Sequence, residues 1–237
     1  MMGKLIVIEG TDCSGKETQT NLLIDKLRDK NIKVDKFSFP NYDSPTGKII
    51  GGPYLGKDYI SDTFFNEGPT NVDPKVAALY YAADRKYNIN KITFLLENGF
   101  NVILDRYIYS NMAHQGAKIY DKNERNEIYN WLEKLEFDLL ELPKPDIAIF
   151  LHMPTDKAKI LKENREEKPD GHEKDIKYLE NAEKAYLELS LKYHMKTIEC
   201  VKNDMIREIS DISNDIFDYV LENIEHKKSI TKELKQS

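Results

Sequence analysis

The sequence predicts an α/β fold, a five-stranded and mostly parallel sheet flanked by helices, and two observations predict it. The first is the stretch 4–18, where the apolar run Leu5-Ile-Val-Ile8 passes through a glycine-bracketed loop into a helical pattern. The second is that four further short apolar runs follow, at 34–39, 101–104, 146–151 and 197–201, with segments of helical spacing between them. Buried strands joined by crossovers of helix length form right-handed βαβ units and hence a parallel sheet.

The first strand is apolar on both faces, as a strand covered by helices on both sides must be. Gly10 and Gly15 then bracket Thr11, Asp12, Cys13 and Ser14, and Lys16, Glu17 and Thr18 follow. Strand, glycine loop, lysine and helix make a P-loop. Its successive backbone N–H groups surround a phosphate, the helix N-terminus adds positive potential, and the lysine reaches the outer phosphates. Gly10 through Thr18 are therefore the expected phosphate-binding residues. The pattern wants Ser or Thr directly after the lysine as a hydroxyl ligand for Mg²⁺, and this chain has Glu17 there. Glu17 could ligate the metal, hold its water shell, or serve as an ordinary first-turn acid. Cys13 reads either as a small loop filler or as an oxidisable thiol. Leu22, Leu23 and Leu27 give the helix after the loop an apolar face.

The strongest later helical patterns are 74–97, 122–140, 175–193 and 204–224. Asp73 and Pro74 signal a capped start and Gly99 a stop for the first of these. Leu142-Pro-Lys-Pro-Asp146 breaks the second and delivers the fourth strand. The expected organisation is a single P-loop domain over 1–225 with a polar tail at 226–237. Ligands of such sheets sit beyond the carboxyl ends of the strands. That singles out Phe39-Pro40-Asn41-Tyr42 and Asp105-Arg106-Tyr107. A carboxylate beside a P-loop orients Mg²⁺ or its water, and an arginine there can fork onto a phosphate. A surface ion pair at a strand end is the other reading of Asp105-Arg106.

Composition bounds the rest. A net charge of −6 and a pI near 5.5 give no reason to expect nucleic-acid binding through a basic face. Two cysteines are too few for a disulfide framework and fit a reducing compartment. The N-terminal apolar run is short for a signal peptide, and no stretch has the length of a membrane span. The expectation is a cytoplasmic protein with neither nucleic acid nor membrane as partner.

Taken in order, these residues resemble the thymidylate kinase family, a branch of the nucleoside monophosphate kinases. Five blocks over roughly residues 4–200 carry the resemblance. They are Glu9-Gly-Thr-Asp-Cys-Ser-Gly-Lys16, Phe39-Pro40, Leu79-Tyr-Tyr-Ala-Ala-Asp-Arg85, Asp105-Arg-Tyr-Ile-Tyr-Ser110 with Gln115-Gly116, and Asn164-Arg165 through Asp170-Gly-His-Glu173. The resemblance implies ATP- and Mg²⁺-dependent phosphorylation of dTMP to dTDP for dTTP synthesis, by a homodimer. It implies that Lys16 holds the donor phosphates, that Asp12 sits by the acceptor's 3′-hydroxyl, and that Arg106 clamps the acceptor phosphate. It further implies that Tyr81 stacks on thymine, that Arg85 reaches the base, and that Ser110 and Asn111 lie where some members contact it. Phe39, Pro40, Tyr107 and Gln115 belong to the same acceptor-side blocks, and Asp105 joins Glu17 as a metal candidate. Residues about 163–174 resemble the mobile lid, whose Arg165 would close over the transferring phosphoryl group. In one branch that arginine follows the P-loop aspartate. Cys13 stands there in this chain, so the lid must supply it.

Plainer readings stand beside these. Asp12 could bond its own backbone, and one of Tyr80 and Tyr81 reads as a core aromatic. His114 stands where the family usually has an aromatic that crowds the 2′ position, and Tyr42 where some members carry a phosphate-binding arginine. A kinase for another nucleoside monophosphate would differ only around Tyr81, Arg85, Asn111 and His114. A non-catalytic nucleotide-binding protein would keep the loop and lose the metal at Glu17.

Overall fold

The computed structural model describes residues 2–162 and 175–233, with the backbone alone for Lys162 and 226–233. The expected lid at about 163–174, with Arg165, lies outside the described residues.

Strand β1 (Leu5–Gly10) occupies the centre of a sheet ordered β2-β3-β1-β4-β5. Its companions β2 (Val34–Ser38), β3 (Asn101–Asp105), β4 (Ile147–His152) and β5 (Lys196–Glu199) are all parallel to their neighbours. Side chains alternate across a strand, so β1 feeds two cores. Leu5 and Val7 enter one cluster, with residues of α3 (Pro74–Glu97), α4 (Ile108–Gly116), α5 (Lys122–Glu133) and α7 (Ile176–Lys192). Ile6 and Ile8 enter the other, with α1 (Lys16–Asp29) and α8 (Ile209–Glu233). On α1 the buried face is Leu23, Ile24 and Leu27, while Leu22 is half-buried. The register sets Ile8 opposite Asp105 and Ile149, so β1, β3 and β4 all end at one edge.

Helix α3 begins as its cap residues predict. The Asp73 carboxylate accepts the N–H groups of Lys75 and Val76 at 2.9 and 3.1 Å, and Gly99 follows the last turn at φ +79°. Elsewhere the chain departs from the spacing. The expected helix 122–140 passes from α5 into a π-helical turn, Lys134–Leu139, that buries Glu136 completely. Helix α4 has no apolar period to betray it, because its buried face includes Ser110, Asn111 and Gln115. Pro45, Gly51, Gly52 and Pro53 read as breakers. A first-turn proline in α2 (Pro45–Ile49) and a π-helical turn (Ile50–Tyr54) absorb them. The fifth strand stops at Glu199, and a two-strand antiparallel hairpin follows, β6 (Val201–Lys202) and β7 (Met205–Ile206). Asn203 and Asp204 at its tip have φ of +51° and +64°, so the last helix starts at Ile209 and not at Asp204. No glycine or proline interrupts it, and it runs on to Glu233, past the expected boundary at 225.

Candidate active site

The loop after β1 is shaped for close approach. A Cβ on Gly10 would lie 2.5 Å from Ser14 Oγ and 2.9 Å from the Leu151 carbonyl oxygen. Cys13 and Gly15 both take left-handed backbone, at φ +55° and +72°. Thr11 ties the loop to the end of β4: its hydroxyl donates to the Met153 carbonyl at 2.7 Å and accepts the Met153 N–H at 2.9 Å. Lys16 is buried, and its ammonium donates to the Thr11 carbonyl at 2.9 Å. Burial, with the positive charge of Arg106 adding to it, pushes Lys16 down to about 8 against the pull of Asp105, Asp12 and Glu9. Glu17 and Thr18 are exposed at the start of α1.

Arg106 turns the chain from β3 toward α4 at φ +67°. Its Nη1 donates to Ser110 Oγ at 3.2 Å and to Tyr186 Oη at 3.1 Å, and lies 3.5 Å from His114 Nε2. Its Nη2 stands 3.7 Å from Asp12 Oδ1, so the guanidinium meets the P-loop. Beneath it lies Glu9, fully buried, which takes the N–H groups of Tyr107 and Ser110 at 2.9 and 3.1 Å and the Ser110 hydroxyl. A carboxylate at the first turn of α4 satisfies N–H groups that the helix itself leaves unpaired. Burial pushes the Glu9 carboxyl above its ordinary range, although Ser110, Arg106 and the two N–H groups pull it down.

A cleft of about 370 Å³ opens beside Arg106. Asp12 and Glu17 line it from the P-loop side, and Phe39, Pro40 and Tyr42 from the end of β2. Tyr81 and Arg85 of α3 and Arg106, Tyr107, Ser110, Asn111 and His114 complete the wall, with Leu55 and Lys57 from the loop after the first π-helical turn. The expected acceptor-side residues thus converge, with one exception. Gln115 is fully buried behind the wall, its Nε2 donating to Asn111 Oδ1 at 3.3 Å. Asp105 is not among the lining residues, although its charge acts on Lys16.

The geometry refines three readings. Tyr80 and Tyr81 both pack against Tyr54 in a satellite apolar cluster, and of the two Tyr81 lines the cleft. Asp12 engages Arg106. Arg85 lines the cleft, but its guanidinium forms a bidentate pair with the buried Glu136, and Asn111 donates to the same carboxylate at 3.0 Å. Four residues that organise this site were given no role in the sequence reading, although Glu9 and Asp84 stand inside quoted motif blocks. Glu9 and Glu136 are the buried carboxylates just described. Tyr186 of α7 stacks on Phe150 at 5.3 Å and is 2.7 Å from Ser110 Oγ. Asp84 accepts the Asn41 N–H and the Ser44 and Thr46 hydroxyls, at 2.8, 2.9 and 2.7 Å, pinning the segment after β2 to α3.

No group of three or more His, Cys, Asp or Glu side chains among the described residues is placed to hold a metal ion. Mg²⁺ bound with a nucleotide takes only one or two carboxylates besides phosphate oxygens and water. Exposed Glu17 in the cleft wall and Asp105 at the end of β3 fit that smaller donor set.

The thymidylate kinase family model matches residues 8–211, from β1 to the start of α8. The chain belongs to the thymidylate kinase family. A relative from Invertebrate iridescent virus 6 is 38% identical over 149 residues, 63% of this chain, and the chain spans 60% of that relative's length. Thymidylate kinase from Schizosaccharomyces pombe is 31% identical over 225 residues, covering 89% of this chain and 97% of that one. The structure of thymidylate kinase from Candida albicans aligns with a TM-score of 0.71 at 25% identity, over 94% of this chain and 92% of that one. The five-stranded sheet is the P-loop NTPase fold of this family, and the protein is a kinase acting on nucleotides.

Proposed function

We propose that this kinase transfers the γ-phosphoryl group of ATP to dTMP, giving dTDP for dTTP synthesis, with Mg²⁺ as cofactor. The observation that carries the reading is one shared cleft: P-loop Asp12 stands 3.7 Å from Arg106, and Arg106 borders the wall that holds Tyr81, Phe39 and Tyr107. A donor's phosphates and an acceptor's phosphate can therefore meet between two fixed elements. Lys16 and the loop amides hold the donor phosphates. Arg106 grips the acceptor phosphate, with Ser110 and Tyr186 fixing its guanidinium. Asp12 takes the acceptor's 3′-hydroxyl, and Tyr81 stacks on the base with Phe39 and Pro40 beside it. Asn111, with the Arg85–Glu136 pair behind it, offers the base a polar wall. Arg165, outside the described residues, closes over the phosphoryl group in flight. Mg²⁺, when bound, neutralises phosphate oxygens, and Glu17 and Asp105 would hold it or its water. Positioning and charge stabilisation suffice, so no covalent intermediate forms.

The test is transfer of labelled γ-phosphate from ATP with Mg²⁺ titrated. Label should appear in dTDP only when metal is present; ATP binding without transfer to dTMP would refute the reading. A second expectation follows from Lys16. Its ammonium is the form that binds phosphate and is lost as pH rises through about 8. kcat/KM for ATP, which reports the free enzyme, should therefore fall above that pH. A profile flat to pH 10 would contradict the assignment.

The proposal includes a cytoplasmic homodimer without nucleic-acid or membrane partners. No described helix is long and apolar enough to cross a membrane. Helix α3 supports the dimer: with its inner face in the core, it still exposes Val76, Leu79, Tyr87 and Phe94, at 42, 50, 59 and 63%. A helix apolar on both faces is one covered on both. Sedimentation should return twice the 27.6 kDa chain mass, and a monomer at assay concentration would remove the dimer.

A further inference from the structure

Side chains alternate along a strand, and Glu9 follows Leu5 and Val7 on the face of β1 that α3, α4 and α7 cover. An acid thus stands where the period calls for an apolar residue, and it is fully buried. A carboxylate is kept in such a place only by donors that satisfy it. Its Oε1 takes the N–H groups of Tyr107 and Ser110, and its Oε2 takes the Ser110 hydroxyl. Ser110 Oγ in turn lies 2.7 Å from Tyr186 Oη, and these two oxygens lie 3.2 and 3.1 Å from Arg106 Nη1. Tyr186 comes from α7, where its ring stacks on Phe150.

Counting hydrogens gives this cluster a direction. A guanidinium only donates, an ionised carboxylate only accepts, and each hydroxyl has one hydrogen. Ser110 spends its hydrogen on Glu9, so the hydrogen between Ser110 and Tyr186 is that of Tyr186. Both hydroxyl oxygens then keep lone pairs for Arg106 Nη1, and every hydrogen meets an acceptor. A donor in place of Glu9 Oε2 would reverse the chain and turn the Tyr186 hydrogen against the donors of Arg106. With Nη1 committed to the protein, Nη2 stands toward the P-loop, 3.7 Å from Asp12 Oδ1. From this accounting we infer that Glu9 is a positioning residue for the transfer: through Ser110 and Tyr186, its carboxylate fixes the guanidinium of Arg106 at the angle from which it grips the acceptor phosphate. The inference rests on the acceptor reading above and adds to it the buried charge on which that grip depends.

The experiment measures kcat/KM for dTMP, KM for ATP and dissociation constants for dTMP and thymidine in the wild type, Glu9→Gln and Tyr186→Phe, and kcat/KM again with each change added to Arg106→Ala. Glutamine keeps the size of the side chain and an oxygen for the two N–H groups, and its NH₂ reverses the chain. Phenylalanine keeps the ring on Phe150 and removes only the hydroxyl. Glu9→Gln should lower kcat/KM for dTMP by about ten-fold or more. Thymidine affinity and KM for ATP should stay within about two-fold, since neither involves the acceptor phosphate. Tyr186→Phe should give the same pattern at about three-fold or more, and it decides alone where Glu9→Gln does not fold. Added to Arg106→Ala, either change should cost less than about a further two-fold, because residues acting through one group are not additive. Full multiplication of the losses would show Glu9 acting apart from Arg106 and overturn the inference, as would equal weakening of dTMP and thymidine or an unchanged kcat/KM. A wild-type chain that binds no dTMP would instead overturn the acceptor reading itself, and the role of Glu9 with it.

Discussion

Replacing Arg106 with alanine is expected to lower kcat/KM for dTMP by about 10³-fold, within the range seen when a charge-stabilising arginine or oxyanion donor is removed. Arg106 joins Asp12 of the P-loop to Ser110 and Tyr186 of the acceptor wall. Its loss therefore removes the contact to the acceptor phosphate and the registration of acceptor against donor together. Arg106→Lys should recover only part of the rate, because a single ammonium cannot reproduce the fork. The backbone at φ +67° carries a Cβ in either residue, so alanine adds no new strain. Steady-state kinetics with dTMP varied, beside a thermal melt, would check this. A loss under ten-fold in a folded variant would remove Arg106 from the acceptor site.

Glu136→Ala is expected to destabilise the fold by about 3–5 kcal/mol, the usual cost of leaving one member of a buried ion pair alone. Arg85 is 2% exposed and Glu136 is not exposed at all, so water cannot take over the lost bonds. The same carboxylate also receives Asn111, and its removal would loosen α4 as well as α3. The double variant Arg85→Met/Glu136→Leu should regain most of that stability, because apolar residues of similar volume replace a buried pair at little net cost. Urea unfolding of the three proteins would measure it. A single-variant loss below 1 kcal/mol would show that the pair opens readily and that Arg85 is available to the base.

That pair also marks where legibility ended. The central strand, the P-loop and the start of α3 were readable because each is written in adjacent residues: an apolar run, glycines at fixed spacing, an Asp-Pro cap. Arg106 was readable because strand ends are predictable places, whereas Tyr81 was singled out from Tyr80 only by the family resemblance. Glu136 was not, since it acts on Arg85 from 51 positions away and reaches it only through a π-helical turn that the helical period does not announce. Glu9 meets Ser110 across 101 positions, and Tyr186 meets it across 76. Pairings of that separation leave no local trace. The hairpin at 201–206 escaped for a different reason: left-handed backbone at Asn203 and Asp204 folds the chain back after Lys202, and apolar spacing does not announce that turn.

The measurement that bears most directly on function is an ATP-dependent phosphorylation assay with dTMP, dUMP, UMP and GMP side by side. Turnover of dTMP, with dUMP slower and UMP and GMP silent, is the expected result. Preferred turnover of UMP or GMP would contradict the acceptor assignment and move the substrate to another nucleoside monophosphate. Silence on all four, with ATP bound, would contradict catalysis by this cleft altogether.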